Sequence, residues 1–172
     1  MSCFLIAHVD GQPLIHHGRE YRVMTNDPPY GQQLALLKKM DFSHPSSAKS
    51  LPGNVKPSDR FQRASYFLPM LPQPKSEREA VAGMFSIVRN VSVPFRAPYK
   101  GFGIYNTEYR PVMDLTGKLY FFELTTGASV MWPDLTKFHL APGDAVMILN
   151  PDKVQLSGDV SGKFSREDKS PF

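Results

Sequence analysis

Apolar residues occur along the chain in short blocks that end at proline, glycine or acidic residues. Residues 3–9 form a nearly unbroken apolar run closed by Asp10-Gly11, a strong hairpin signal, and residues 13–16 begin the returning strand. Because the run is apolar at both alternating sets of positions, it predicts a strand buried on both faces. Residues 20–25 predict another short strand. It ends at Asn26, because the following Asp27-Pro28-Pro29 cannot continue a ladder.

Two apolar patterns with helical spacing follow. Residues 32–40 carry leucines flanked by lysines, which predicts a short amphipathic helix. After a polar loop, residues 57–68 repeat apolar side chains at helical intervals, with Ser58 as the predicted N-cap. Arg60 is then expected in the first turn of this second helix.

The second half of the chain predicts one long helix and a sheet. Ser76 and Glu79 form a capping box ahead of apolar positions that continue to residue 88. Residues 109–132 change to a strand pattern broken by turns, which predicts an antiparallel meander. We expect residues 1–150 to form a single domain and residues 151–172 to be a polar tail that frays.

Composition narrows the class of protein. The 172 residues are 41% hydrophobic and 21% charged, and no apolar stretch is long enough for a membrane helix, so we expect no membrane partner. The net charge of +4 is spread along the chain, so we expect no nucleic-acid partner. A single cysteine excludes an internal disulfide and a paired-thiolate zinc site. We expect no cofactor and no metal. The N-terminal pattern shows no signal peptide, which leaves a cytoplasmic or periplasmic location open.

Few residues suggest chemistry by themselves. His16 and His17 are adjacent, would point to opposite faces of a strand, and are expected at a surface or turn. Cys3 lies in the most apolar strand, where a thiol is expected to be buried and inert. Ser2 would become N-terminal if Met1 were removed, and an α-amine can activate its own side chain. The pattern contains no G-x-S-x-G elbow, P-loop or dinucleotide fingerprint, so function does not follow from composition and periodicity.

Three blocks carry a resemblance to a known family. They are DGQPLIHHGREYRVMTNDPPYGQQLALL, LPGNVKPSDRFQRASYF, and AVAGMFSIVRNVSVPF followed by TEYRPVMDLTGKLYFFELTT and VMWPDL. In this order they resemble the C-terminal half of the penicillin V acylase and choloylglycine (bile-salt) hydrolase family, which are N-terminal-nucleophile amide hydrolases. The resemblance covers nearly all of residues 5–140.

The resemblance implies an α+β fold, half of a four-layer αββα sandwich with antiparallel sheets and helices outside. It also implies two catalytic residues. Asn26 matches the family's Asn around the tetrahedral intermediate, and Arg60 matches the Arg that lies beside the nucleophile. A side-chain amide can donate to a developing oxyanion, and a guanidinium favours a thiolate over a thiol.

The chain also departs from the family. Family members begin with a catalytic Cys, followed by an Arg and an Asp and later by an oxyanion Asn or Tyr, and none of these positions is present. Cys3 falls in an internal strand position and is not expected to be the nucleophile. Three further residues, Arg96, Tyr109 and Pro111, also differ from what is usual in the family at these positions.

Three hypotheses follow. The first is a fragment of a linear amide C–N hydrolase, inactive alone, that cleaves a small-molecule amide through a cysteine acyl-enzyme once the missing half is supplied. The substrate remains open between penicillin V, a bile-salt conjugate and an acyl-homoserine lactone. The second is a non-catalytic binding or assembly protein that retains the fold. The third makes Ser2 or Cys3 a new N-terminal nucleophile. Sheet edges and faces left without the other half are expected to cause self-association.

Overall fold

Helices and mostly antiparallel sheets make up the structure, which confirms the α+β class. The computed structural model describes residues 4–40, 51–99, 101, 103–150 and 156–167. Contacts divide the chain into two compact units, residues 1–73 with 86–92 and residues 74–85 with 93–172. The prediction that residues 1–150 form a single domain stays a prediction.

The first unit begins with an antiparallel hairpin. Strands β1 (Phe4–Val9) and β2 (Gln12–His17) pair in a register that sets Ile6 opposite Ile15, which confirms the predicted hairpin. Exposure alternates along β1, and Phe4 and Ile6 are 66% and 56% exposed. The prediction of a strand buried on both faces is therefore wrong. The apolar run is continuous, yet the two-stranded sheet is covered mainly on one face.

Residues 20–25 do not form the predicted strand. The backbone groups of Thr25 bind the side chain of Gln33 instead of a neighbouring strand. Asn26 consequently lies in a loop and not at a strand end. The alternation in residues 20–25 is compatible with an extended chain. The side chain of Gln33, however, makes the hydrogen bonds that a neighbouring strand would make in a sheet.

Two helices complete the central part of this unit. Helix α1 spans Tyr30–Leu37 and helix α2 spans Pro57–Phe67. The predicted N-cap at Ser58 is wrong, because Lys56 is the N-cap and Pro57 takes the first helical position, where proline's missing N–H costs nothing. The apolar side chains buried in these helices are Tyr30, Phe61, Ala64 and Tyr66.

Helix α3 (Glu77–Asn90) begins at the predicted capping residues. The backbone N–H of Glu79 donates to Ser76 Oγ at 3.2 Å, as a capping box requires. The Glu79 carboxylate accepts from the backbone N–H of Lys75 at 2.7 Å, one residue before the usual partner. The expected helix start is confirmed, with this shift in its second hydrogen bond.

The second unit contains the predicted meander. Its strands are β3 (Pro98–Tyr99), β4 (Gly103–Ile104), β5 (Tyr109–Asp114), β6 (Leu119–Leu124), β7 (Val130–Trp132), β8 (Val146–Ile148), β9 (Gly158–Asp159) and β10 (Ser165–Glu167). One sheet has the order β5-β6-β7-β9, and its first three strands are antiparallel neighbours, which confirms the meander. Strand β9 joins β7 in parallel.

Strand β5 shows how a proline fits into this sheet. It is the terminal strand in the order β5-β6-β7-β9, where a missing N–H can face away from the ladder, so it accommodates Pro111 opposite Phe122. Beside this pair, Arg110 Nε donates to Glu123 Oε2 at 2.6 Å. Glu123 is only 5% exposed, so the two strands are joined by a charged contact that is largely removed from solvent.

The expectation of a frayed tail is wrong for residues 156–167. Leu156 and Val160 are 7% and 0% exposed and form one apolar cluster with Met131. These two apolar side chains pack beside β7, and strands β9 and β10 pair with β7 and β8, so the segment is held by both packing and strand pairing. The mainly polar composition of this segment gave no indication that two of its side chains are buried.

Candidate active site

The loop that precedes α1 carries Asn26. Gln33, in the first turn of α1, is 1% exposed and holds this loop through its side-chain amide. Its Nε2 donates to Thr25 O at 2.8 Å and to Pro28 O at 2.6 Å, and its Oε1 accepts from Thr25 N at 3.0 Å. These bonds attach the loop to the helix on both sides of Asn26, which is exposed.

Helix α2 places Arg60 beside that loop. Arg60 lies in the first turn, as predicted, and its backbone N–H donates to Lys56 O at 3.0 Å. Its side chain makes two hydrogen bonds, from Nε to Val55 O at 3.1 Å and from Nη2 to Asn26 Oδ1 at 3.1 Å. The structure therefore brings together the two residues that the sequence singled out, although they are 34 positions apart.

The contact with Arg60 determines which way the Asn26 amide faces. A guanidinium only donates hydrogen bonds, so the atom that meets it must be the oxygen, Oδ1. The two N–H donors on Nδ2 then point away from Arg60. Within the described part of the chain, no atom accepts a hydrogen bond from them. Such a pair of donors can bind an oxygen that gains negative charge during a reaction.

A cavity of about 470 Å³ adjoins the loop. It is bounded by β1 and Asp10 on one side and by residues 24–30 with Gln33 on the other, and Asn26 forms part of its wall. Cavities of several hundred Å³ are typical of small-molecule sites. The arrangement therefore offers both a space and an oriented donor.

Aromatic side chains from β2, α1 and α2 form a cluster. The ring of Tyr30 lies 4.8 Å from that of His16 and 6.4 Å from that of Phe61, which is 0% exposed. Burial raises the pKa of Tyr30, and Tyr21 and Glu20 add smaller effects in the same direction. Tyr30 therefore stays neutral at physiological pH and serves as a core residue. The prediction of a surface position is wrong for His16, which packs into this cluster, whereas His17 is exposed on the opposite face.

Arg63 holds the Leu-Pro-Gly loop that leads into α2. Its Nη1 donates to Pro52 O and to Asn54 O, both at 2.8 Å. Burial lowers the pKa of Arg63, with a smaller opposing effect of Asp59. This residue fixes the chain just before α2 and so contributes to the placement of Arg60.

Other candidates from the sequence are not brought into the site. Ser2 and Cys3 lie outside the described residues. No group of three or more metal-binding side chains occurs in the ranges that the structure describes. No helix among them is long and apolar enough to cross a membrane. The catalytic roles of Asn26 and Arg60 stay predictions.

Sequence reasoning missed Gln33 and Thr25 as parts of the site. A signal was available for Gln33, because it follows Tyr30 by three positions and precedes Leu37 by four, on the apolar face of α1. A polar side chain on such a face must find hydrogen bonds or destabilise the fold. Thr25 offered no comparable signal, since its contacts depend on the tertiary structure.

Sequence comparison identifies similar proteins. The sequence model of the family described as linear amide C-N hydrolases, choloylglycine hydrolase family, matches residues 2–152. A penicillin V acylase from Pectobacterium atrosepticum is 34% identical to this chain over an alignment of 177 positions, gaps included. The alignment covers 93% of this chain and 46% of the acylase.

Solved structures of two proteins superpose on this chain. The penicillin V acylase from Agrobacterium tumefaciens superposes with a TM-score of 0.79 at 37% identity, covering 97% of this chain and 53% of the acylase. A conjugated bile acid hydrolase from Clostridium perfringens superposes with a TM-score of 0.62 at 16% identity, covering 79% of this chain and 47% of the hydrolase. This second likeness concerns the fold alone. The chain spans about half the length of these relatives.

Proposed function

Because the chain belongs to the choloylglycine hydrolase family of linear amide C-N hydrolases, we propose that it supplies one side of an amidase site, whose cysteine nucleophile lies in a segment outside this chain. The observation that carries the proposal is the hydrogen bond from Arg60 Nη2 to Asn26 Oδ1 at 3.1 Å. It orients the Asn26 amide so that its N–H donors are available to a substrate oxygen.

The proposed reaction is acyl transfer. A cysteine thiolate attacks the amide carbonyl carbon, and the negative charge that forms on the carbonyl oxygen is bound by Asn26 Nδ2. The C–N bond then breaks, the amine leaves with a proton, and a thioester remains on the cysteine. Water then attacks the thioester carbonyl carbon, the C–S bond breaks, the acyl group leaves as a carboxylic acid and the thiol is restored. Arg60 keeps the Asn26 amide in orientation, and its positive charge favours the thiolate.

Penicillin V is the first substrate to test. The two relatives that are 34% and 37% identical to this chain are named penicillin V acylases, whereas the bile acid hydrolase is 16% identical. The cavity beside Asn26 is of a size that suits a small-molecule amide.

The experiment joins this chain to the part of the Agrobacterium penicillin V acylase that it does not cover. We expect this completed protein to hydrolyse penicillin V. Arg60→Ala and Asn26→Ala should each reduce kcat about 10²-fold, the scale of losing one oxyanion or charge-stabilising group. Arg78→Ala, which changes an exposed arginine on α3, is the matched control and should leave kcat unchanged.

Two results would contradict the proposal. One is turnover in the completed protein that Arg60→Ala does not change. The other is hydrolysis by the chain alone, accompanied by an acyl adduct on Cys3 in the mass spectrum. The latter would favour the hypothesis of a nucleophile at the N-terminus of this chain.

A non-catalytic binding or assembly protein is the second candidate. The outer face of the β1–β2 hairpin favours it, because Phe4, Ile6 and Ile15 are 66%, 56% and 63% exposed, and apolar faces of this kind drive association. A completed protein that melts cooperatively yet hydrolyses no amide would support this candidate over the first.

A further inference from the structure

The amide of Gln33 is buried and fully satisfied by hydrogen bonds. It is 1% exposed, and both of its N–H donors are used, one by Thr25 O and one by Pro28 O. Its oxygen accepts from Thr25 N. A buried amide is costly unless all its groups find partners, so this set of bonds favours the observed arrangement of the loop against α1.

Thr25 extends this arrangement to α2. Its hydroxyl has one proton and three acceptors within reach, of which the nearest is Pro57 O at 3.1 Å. Gln33 Oε1 and Asp27 O are both 3.3 Å away. Pro57 is the first residue of α2, the helix that carries Arg60. The loop with Asn26 is therefore fixed to the helix with Arg60 by contacts other than their mutual hydrogen bond.

We propose that Gln33 is a positioning residue for the amidase site: it sets the place and direction of the Asn26 amide relative to Arg60. The inference rests on the proposed function for its catalytic consequence, but its geometric content can be tested without any reaction. Asn26 is itself exposed, so its side chain has few packing contacts to hold it. The buried bonds on either side of it supply the constraint.

Gln33→Met is the informative substitution. Methionine has nearly the shape of glutamine and no hydrogen-bonding amide, so it fills the same space while it releases the carbonyls of Thr25 and Pro28. Gln32→Met is the matched control, because Gln32 is the neighbouring residue of the same helix and is exposed.

The first measurement uses the chain as it exists, labelled with ¹⁵N. In the wild type, exchange of the Arg60 Nη protons should be slowed because Asn26 Oδ1 accepts a hydrogen bond from Nη2. In Gln33→Met we expect their exchange to approach the rate in Asn26→Ala, while the Nε proton, bound to Val55 O, is unchanged. Gln32→Met should match the wild type at both positions. Unchanged Nη exchange in Gln33→Met would overturn the inference.

The second measurement uses the completed protein and a double-mutant cycle. We expect Gln33→Met to lower kcat and kcat/KM for penicillin V by about 10- to 100-fold, the scale of a displaced catalytic group, with KM nearly unchanged. On the Asn26→Ala background, the same substitution should cost little more, because it acts through Asn26. A purely structural role would give equal losses on both backgrounds and would refute the inference.

The outcomes for the two proposals are separable. If Arg60→Ala lowers turnover as expected and Gln33→Met leaves it unchanged, the proposed function stands and the positioning role is refuted. If the completed protein shows no turnover at all, the proposed function fails, and the proton exchange of Arg60 alone decides whether Gln33 positions Asn26.

Discussion

Asn26→Asp separates the stability of the Asn26–Arg60 contact from its proposed role in catalysis. The substitution is isosteric and keeps an oxygen where Arg60 Nη2 donates at 3.1 Å. It replaces the Nδ2 group by a second oxygen, which removes both N–H donors. It also places a negative charge where the carbonyl oxygen of the substrate would gain one.

The substitution is expected to affect stability and catalysis in opposite directions. The new ion pair lies at an exposed loop, and such pairs contribute about 0–1 kcal/mol, so the free energy of unfolding should be unchanged or slightly higher. Loss of an oxyanion donor reduces kcat by about 10²- to 10³-fold, and the added charge increases the loss. A variant that is at least as stable as the wild type and nearly inactive is therefore expected.

Urea unfolding of the chain and penicillin V hydrolysis by the completed protein measure the two quantities. Gln32→Glu is the control for added charge, because it introduces a carboxylate at an exposed position of the neighbouring helix. It should leave kcat within about twofold of the wild type, since it changes no interaction made only in the transition state. Full turnover by Asn26→Asp would refute the orientation of the amide deduced from Arg60.

Three further predictions concern the rest of the chain. Arg110→Met should lower the free energy of unfolding in urea by about 3–5 kcal/mol, because it removes the close partner of a buried carboxylate, and adding Glu123→Leu should restore most of the loss. Lys137 and then Ser161 lower the pKa of Asp159, so its contribution to stability is complete above the unfolded-state pKa and is lost as the pH falls through the lowered folded-state pKa. Asp159→Asn should therefore reduce the acid dependence of the melting temperature below about pH 4, whereas an unchanged dependence would contradict this reading. Ile15→Lys should weaken self-association in sedimentation experiments, and equal association of both forms would exclude the outer face of the β1–β2 hairpin as the contact.

The elements with strong local signals were predictable from the sequence. The Asp10-Gly11 hairpin, the start of α3 after Ser76 and the β5–β6–β7 meander each follow from turn chemistry or periodicity within a few residues. Arg60 was also placed correctly in the first turn of α2, because the helical spacing of residues 57–68 is regular.

The features that depend on distant partners were not predictable. Residues 20–25 have the pattern of a strand, but the amide of Gln33 takes the place of a ladder for Thr25. Val160 lies in a polar segment and is nevertheless 0% exposed, because it meets Met131 from another part of the chain. Local propensity carries no information about such partners, so tertiary contacts decided both cases.

Among the described residues, the contacts that orient Asn26 and Arg60 come from residues 25–33 and 52–63 of the first unit. None of them requires the nucleophile, and none passes through the sheet of the second unit. The proposed oxyanion side of the site is thus organised before the proposed cysteine segment joins it. Preorganised donors stabilise a transition state without a cost of reorganisation during the reaction. Completion of the site would then require only that the thiolate be placed beside the amide of Asn26, which already forms part of the cavity wall, and a segment taken from a relative is therefore expected to restore turnover.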